Sequence, residues 1–175
     1  MRSLTIMANE RVCDVWDLSR RRASVEGELA LDDAPRLAAQ LADRVGALRY
    51  RFSGLVDDLG RPAAILAVQG ELRARCDRCG SPVEVPVDEQ ARFFFVKDEA
   101  ELGRLPIDES PDEPLLGSHR FDLAALVEEQ AILALPISPR HDRCATAPPA
   151  AAERGASGET HRPFEALADL KKPRR

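Results

Sequence analysis

Two short motifs each carry side chains that bind metal ions. The first is Cys76-x2-Cys79, which a glycine and a serine-proline pair follow in the stretch RARCDRCGSP. The second is His141-x2-Cys144, which lies more than sixty residues later. Together they form a Cys3His set, a ligand type common in structural zinc sites because zinc favours tetrahedral sulfur and nitrogen coordination. These four residues are our candidate ligands for a structural zinc ion, provided that the fold brings the two motifs together.

Other interpretations of the cysteines remain open at this point. A C-x2-C motif at a hairpin is also compatible with two ordinary thiols in a turn and no metal. A redox couple needs a helix N-terminus or a βαβ unit to lower the thiol pKa, and the sequence around Cys76 indicates neither. Cys13 has no partner nearby in the sequence, and we interpret it as a buried or bystander thiol.

Motifs typical of enzymes are absent from the sequence. It contains no G-x-S-x-G, no glycine-rich phosphate loop and no H-E-x-x-H. The adjacent acids Glu128 and Glu129 fall on the polar side of a predicted helix, where a solvated face is the expected explanation. We therefore predict that the protein is not an enzyme and takes no small-molecule substrate.

Basic side chains provide candidate contacts with nucleic acid. Arginines suit this role because their planar guanidinium groups bind phosphate bidentately. We expect one common surface to contain the triplet at 20–22 and five further arginines, which are Arg49, Arg51, Arg73, Arg75 and Arg78. Lys171 and Lys172, in the basic C-terminal tail, would attract phosphate with salt-dependent affinity. A solvated charged terminus is the alternative interpretation of that tail.

An acidic, proline-interrupted loop follows residue 96. Its carboxylates are Asp108, Glu109, Asp112 and Glu113. The simplest interpretation is a soluble connection, and the alternative is a mimic of nucleic acid that holds a basic protein.

The elements that must position these side chains are mostly strands. Three alternating runs, at 47–57, 63–76 and 83–96, are separated by turn signals and predict an antiparallel meander. The C-x2-C motif then lies between the second and third strands. Before them we predict a short strand near Val15, an extended piece at Val25–Leu29 and a helix over 31–46. A second helix is predicted over 121–136 from its apolar stripe, with Asp122 near its start and Pro136 at its end.

Composition and charge indicate a single globular domain. The chain has 175 residues, 44% of them hydrophobic, and a formal net charge of −5, which argues against a surface that coats nucleic acid throughout. No signal peptide or membrane span is recognisable, so we expect reduced thiols and a cytoplasmic protein without a membrane partner. The predicted fold class is α+β, with helices packed on the antiparallel meander.

Domain boundaries follow from changes in composition. We predict a disordered N-terminus over 1–8, the α+β domain over 9–144, a disordered Ala/Pro-rich linker over 145–162 and a C-terminal docking peptide with a basic tail over 163–175. The peptide has one apolar ridge, formed by Phe164, Leu167 and Leu170. A helix this short is marginal in water, so we predict that it docks on its own domain or on a partner.

Three segments, taken together, resemble the YceD family of large ribosomal RNA subunit accumulation proteins. They are LRARCDRCGSPVEVPV, FDLAALVEEQAILALPISPRHDRC and RPFEALADLKK, and they occur in that order. The resemblance is closest over residues 66–135 and in the terminal peptide. It implies a non-enzymatic role in the synthesis, processing or stability of 23S ribosomal RNA, hence in large-subunit assembly.

The expected partners are therefore the 23S RNA precursor or early large-subunit particles, reached directly or through a ribosomal protein. Two alternative functions remain. One is an adaptor whose acidic loop holds a basic ribosomal protein, and the other is a zinc-dependent nuclease or thiol oxidoreductase.

Overall fold

The computed structural model describes residues 5–7, 11–106 and 112–144, with the backbone alone at residues 5–7. The chain divides into two compact units, residues 1–144 and 145–175, and every described residue belongs to the first. The predicted linker, the docking peptide with its ridge residues, Lys171 and Lys172 all lie outside the described residues. So do Asp108 and Glu109 of the acidic loop.

The described residues contain eight strands, which form two sheets. The strands are β1 (Thr5–Met7), β2 (Val12–Cys13), β3 (Ser24–Ala30), β4 (Ala47–Val56), β5 (Pro62–Arg75), β6 (Pro82–Val96), β7 (Asp112–Leu116) and β8 (Phe121–Asp122). The main sheet has the order β1-β3-β4-β5-β6-β7, and β2 pairs with β8. Neighbouring strands from β3 to β6 are antiparallel, whereas β1 and β7 join the two edges in parallel. The predicted meander is confirmed, with the C-x2-C turn between β5 and β6.

In the part of the chain that the structure describes, four α-helices accompany the sheet: α1 (Val15–Arg21), α2 (Pro35–Ala38), α3 (Glu99–Leu102) and α4 (Leu123–Ala134). The mixed but mostly antiparallel sheet with packed helices confirms the α+β class. In the described residues no helix is long and apolar enough to cross a membrane.

The main core lies between one face of the sheet and helices α1, α2 and α4. Alternating side chains of β4 show this arrangement, since Leu48, Tyr50 and Phe52 are buried while Arg49 and Arg51 are exposed. Helix α1 crosses β4 at Gly54, where an added Cβ would overlap the carbonyl oxygen of Leu18. The other face of the sheet is open and charged, apart from a small apolar cluster beneath α3 that contains Ala63, Phe94 and Val96.

The prediction of a strand near Val15 is wrong, because Val15 begins α1. The side chain of Asp14 caps this helix by accepting hydrogen bonds from the backbone N–H groups of Trp16 and Asp17, both at 3.0 Å. The strand in this region is the short β2, just before the cap. The extended piece at Val25–Leu29 is confirmed as part of β3.

The predicted helix over 31–46 is wrong in extent. Residues Leu31–Asp33 form a 3-10 turn and α2 occupies only Pro35–Ala38. The chain then leaves the helix to pair with the sheet, since Leu41 bridges Ala74 and the Ala42 N–H donates to the Arg73 carbonyl at 2.6 Å. Val45, which falls within the predicted helix, is 71% exposed. Backbone pairing with β5 therefore overrides helix propensity here.

Strand β1 lies within the segment 1–8 that we predicted to be disordered. Its three residues pair in parallel with Ser24, Val25 and Glu26 of β3. The other residues of that segment lie outside the described ones.

Candidate metal centre

The turn between β5 and β6 presents two thiols on one side of a tight knuckle. The Gly80 N–H donates to the Cys76 carbonyl at 2.8 Å, and the Cys76 N–H donates to the Ser81 carbonyl at 2.9 Å. Gly80 has φ +76°, a left-handed conformation that side-chain-bearing residues rarely adopt. The glycine after Cys79 therefore lets the chain turn back sharply enough to bring both sulfur atoms together.

The segment after α4 is held against this knuckle by two hydrogen bonds. The Asp77 N–H donates to the Pro139 carbonyl at 2.9 Å, and the Ser138 hydroxyl donates to the Asp77 carboxylate at 2.6 Å. These contacts place His141 and Cys144 opposite the cysteines of the turn. The sequence did not predict roles for Asp77 and Ser138, because no spacing pattern relates residues so far apart.

The four predicted ligands converge. One ligand atom from each of Cys76, Cys79, His141 and Cys144 lies within 4.8 Å of every other. The Cys76 and Cys144 sulfurs are 3.9 Å apart, and the Cys79 sulfur is 3.5 Å from Nδ1 of His141. Tetrahedral zinc with Zn–S bonds of about 2.3 Å requires sulfur–sulfur separations of about 3.8 Å. The cluster is therefore close to the dimensions that zinc needs.

The orientation of His141 also suits a metal ligand. Its Nε2–H donates to the Pro82 carbonyl at 2.9 Å, so in the neutral imidazole Nδ1 is the unprotonated nitrogen, on the side of the sulfur atoms. A hydrogen bond from the second ring nitrogen to a backbone carbonyl is the usual support of a metal-bound histidine.

Electrostatics within the cluster favour a bound cation. Burial raises the pKa of Cys76, but backbone N–H groups of His141, Cys79 and Arg78 outweigh it and lower that pKa to about 5. Burial and the neighbouring Cys79 and Cys76 sulfurs raise the pKa of Cys144. Three thiolates at this spacing repel one another, and a divalent cation removes that repulsion.

The predicted arginine surface is only partly assembled. Arg49, Arg51, Arg73 and Arg75 lie on the open face of the sheet, whereas the triplet at 20–22 ends α1 on the opposite face. Two of the sheet arginines are neutralised, because Arg51 pairs with Glu26 at 2.8 Å and Arg73 pairs with Asp43 at 2.5 Å. Within the described residues Arg49, Arg75 and Arg78 form no ion pair. The open face carries both signs of charge rather than a basic patch.

The acidic loop is also partly committed to the fold. Asp112 and Glu113 begin β7, and the Asp112 carboxylate pairs with Arg92 at 3.2 Å. Glu113 is exposed.

A comparison with models of known protein families identifies the family of this chain. A family model described as large ribosomal RNA subunit accumulation protein YceD matches residues 65–171, more than half of the chain. The chain belongs to the YceD family. The YceD match contains both halves of the Cys3His cluster and most of the C-terminal peptide, and it begins inside β5, so that β1 to β4 precede it. No curated protein and no solved structure matches this YceD chain.

Proposed function

We propose that this YceD protein is a cytoplasmic ribosome-biogenesis factor that promotes the synthesis, processing or stability of 23S ribosomal RNA by binding, without catalysis. The observation that carries the proposal is the family match over residues 65–171, whose description is accumulation of the large ribosomal RNA. The partners are the 23S precursor or early large-subunit particles, bound directly or through a ribosomal protein.

We further propose that the Cys3His cluster holds a structural zinc ion. Four protein ligands complete a tetrahedron, and catalytic zinc sites usually keep one position for water or substrate. The ion would tie the β5–β6 turn to the segment after α4. The cluster thus supports a structural clip rather than a zinc-dependent nuclease.

A thiol oxidoreductase is also disfavoured. The lowered pKa of Cys76 is typical of reactive thiols, but this side chain is only 1% exposed. A sulfur that accepts hydrogen bonds from several N–H groups and is buried from solvent is suited to ligate a metal and poorly suited to attack a substrate.

Crosslinking in growing cells tests the proposed function. Ultraviolet light would fix the protein to its RNA, and sequencing of the attached RNA would show where it binds. We expect enrichment at one or a few places on pre-23S RNA, together with a fall in the ratio of 23S to 16S RNA when the protein is depleted. An unchanged ratio on depletion, with crosslinks no richer in 23S than in bulk RNA, would refute the proposal.

The acidic adaptor is the alternative that such a result would favour. Its weakness is that Asp112, one of the four predicted carboxylates, is paired with Arg92. Neutralising Glu113 together with Asp108 and Glu109 would abolish capture of a basic ribosomal protein if the adaptor is correct, and would leave RNA binding intact.

A further inference from the structure

A surface pocket of about 680 Å³ lies beside α1, away from the metal centre. Its lining residues are Trp16, Lys97, Gly117, Ser118, His119 and Arg120. Its volume falls within the usual range of ligand pockets, roughly 300–1,000 Å³. We call it the Trp16 pocket.

The indole of Trp16 is held in a fixed orientation. Its ring meets Phe95 edge-on, with centroids 6.3 Å apart and planes at 73°. An added Cβ at Gly117 would overlap the indole, so only glycine lets the ring lie against the backbone there. Trp16 is half-buried, and its remaining surface faces the pocket. It is therefore a rigid aromatic platform with an accessible part.

The pocket carries positive charge without acidic lining residues. Lys97 and Arg120 are exposed, and neither forms an ion pair with any described residue. The His119 side chain is 79% exposed and contacts the Asp14 carboxylate through Nδ1 at 2.7 Å, so that carboxylate is already engaged. Two carboxylates near Lys97 are engaged by backbone groups. The Glu101 carboxylate accepts a hydrogen bond from the Lys97 N–H, and the Asp98 carboxylate accepts one from the Glu101 N–H.

Two other surface pockets have a different character. One on the open sheet face contains Glu26 beside Arg49 and Arg51, and one at the sheet edge contains Asp112 and Glu113 beside Arg92. In each of them a carboxylate pairs with one arginine, Glu26 with Arg51 and Asp112 with Arg92. The lining of the Trp16 pocket contains no carboxylate, and this suits it to an anion that carries a flat ring.

We propose that the Trp16 pocket binds a nucleotide of single-stranded RNA, with the base stacked on Trp16 and the adjoining phosphates bound by Lys97 and Arg120. Aromatic stacking combined with cations along the backbone is the general mode of single-strand recognition. That the RNA is ribosomal rests on the proposed function; the pocket chemistry itself does not depend on it.

Trp16 is the only tryptophan of the chain, so its fluorescence reports on this pocket alone. The full chain would be titrated at low salt with a short fluorescein-labelled oligouridine RNA. Unlabelled RNA of the same sequence would be used to follow Trp16 emission. We expect saturable quenching of Trp16 emission, with a midpoint equal to that of the fluorescein anisotropy.

Charge-reversal variants test the phosphate contacts. Lys97→Glu and Arg120→Glu should each weaken binding by about tenfold or more, and added salt should reduce the difference. Arg44→Glu, at an exposed arginine outside the pocket, is the matched control and should bind nearly as tightly as wild type. Arg49→Glu tests whether the open sheet face contacts the RNA, and this variant should also bind nearly as tightly as wild type.

Substitution of the platform tests stacking. Trp16→Leu should weaken binding by roughly 5- to 150-fold, the range that loss of one base–aromatic stack gives, and Trp16→Phe should lose less. Circular dichroism would show whether the Trp16 variants fold. If they do not, the charge-reversal variants test the proposal, because Lys97 and Arg120 are exposed and their substitution should leave the fold intact.

The inference is overturned if RNA binds while Trp16 emission stays constant, or if Lys97→Glu and Arg120→Glu bind as Arg44→Glu does. Enrichment of 23S crosslinks in cells would then leave the proposed function standing with a different contact surface. Conversely, quenching in vitro without 23S enrichment in cells would support the pocket and refute the ribosomal role.

Discussion

His141 and Pro82 are joined by a hydrogen bond of 2.9 Å from the imidazole Nε2–H to the prolyl carbonyl. This contact fixes the imidazole so that Nδ1 faces the Cys79 sulfur. Pro82 begins β6, so a strand of the sheet orients a ligand that comes from the far end of the domain. The fold alone therefore orients this ligand of the candidate metal centre, and no ion is needed for that orientation.

Replacement of one ligand should release the metal. We expect about one zinc ion per wild-type chain and clearly less than one in Cys79→Ser, because three ligands hold zinc more weakly than four. The melting temperature of the variant should fall by roughly 5 °C or more. Elemental analysis and thermal denaturation of the purified proteins would measure both.

Cys13 provides the control for that experiment, because it lies in β2, outside the cluster. Cys13→Ala should keep its zinc. Wild-type protein without stoichiometric zinc, together with normal melting of Cys79→Ser, would contradict the structural clip.

Glu128 should contribute far more to the free energy of unfolding than its neighbour Glu129. The Glu128 side chain is buried and accepts hydrogen bonds from the backbone N–H groups of Arg36 and Leu37, at 2.7 and 3.1 Å. Glu128→Ala leaves these donors at the start of α2 without a partner and should lower the free energy of unfolding by about 3 kcal/mol. Glu129→Ala removes only an exposed ion pair with Arg36 and should cost less than about 1 kcal/mol. Urea denaturation would compare them, and equal effects would contradict the capping role of Glu128.

Stability should depend on pH through Asp57. Burial raises the pKa of this carboxyl, but hydrogen bonds from Arg61 and from the Leu59 N–H outweigh burial and lower it. A carboxyl whose pKa is lower in the folded state than in the unfolded state stabilises the fold at pH values above its unfolded-state pKa. This stabilisation is lost as the pH falls through the folded-state pKa. Asp57→Asn should therefore be less stable than wild type by about 1–3 kcal/mol at neutral pH, and the difference should narrow below about pH 4.

Asp58→Asn is the matched control, because Asp58 is the exposed neighbour in the same hairpin turn. Its free energy of unfolding should follow that of wild type at each pH. A difference between Asp57→Asn and wild type that persists unchanged into acid would show that the charge of Asp57 contributes nothing.

The close packing of α1 on β4 should make Gly54 intolerant of substitution. A methyl group there overlaps the backbone of Leu18 and Ser19, which cannot move without shifting α1. Gly54→Ala should lower the free energy of unfolding by about 1–3 kcal/mol. Gly103→Ala, at a position with the helical φ of −69°, should cost much less. Equal melting temperatures for the two variants would show that α1 readily moves away from β4.

Strands β4, β5 and β6 were predictable because their evidence is local. Alternation of Leu48, Tyr50 and Phe52 with arginines is visible in the sequence and persists in β4. Helix α4 was predictable for the same reason, since Asp122 caps it by accepting from the Ala125 N–H at 2.9 Å. The ligand types of the metal centre were equally visible, although their convergence depends on the whole fold.

The errors arise where a distant partner decides the conformation. Glu128 is predicted on a solvated face, yet its carboxylate is buried against α2, and only the tertiary contact with Arg36 reveals this. The helix over 31–46 ends early because Leu41 and Ala42 pair with β5. Trp16 carries no periodic signal in the sequence, and its pocket exists only because residues 117–120 reach α1 from another part of the chain.

The long separation of the two ligand pairs has a consequence for the order of folding. Cys79 and His141 are 62 positions apart, and β6, β7 and α4 lie between them. A nascent chain that has formed only the β5–β6 hairpin offers two thiolates, which is half of a site. If the proposed zinc ion uses all four ligands, it would therefore be captured late, after α4 has docked, and its loading would mark the completed domain.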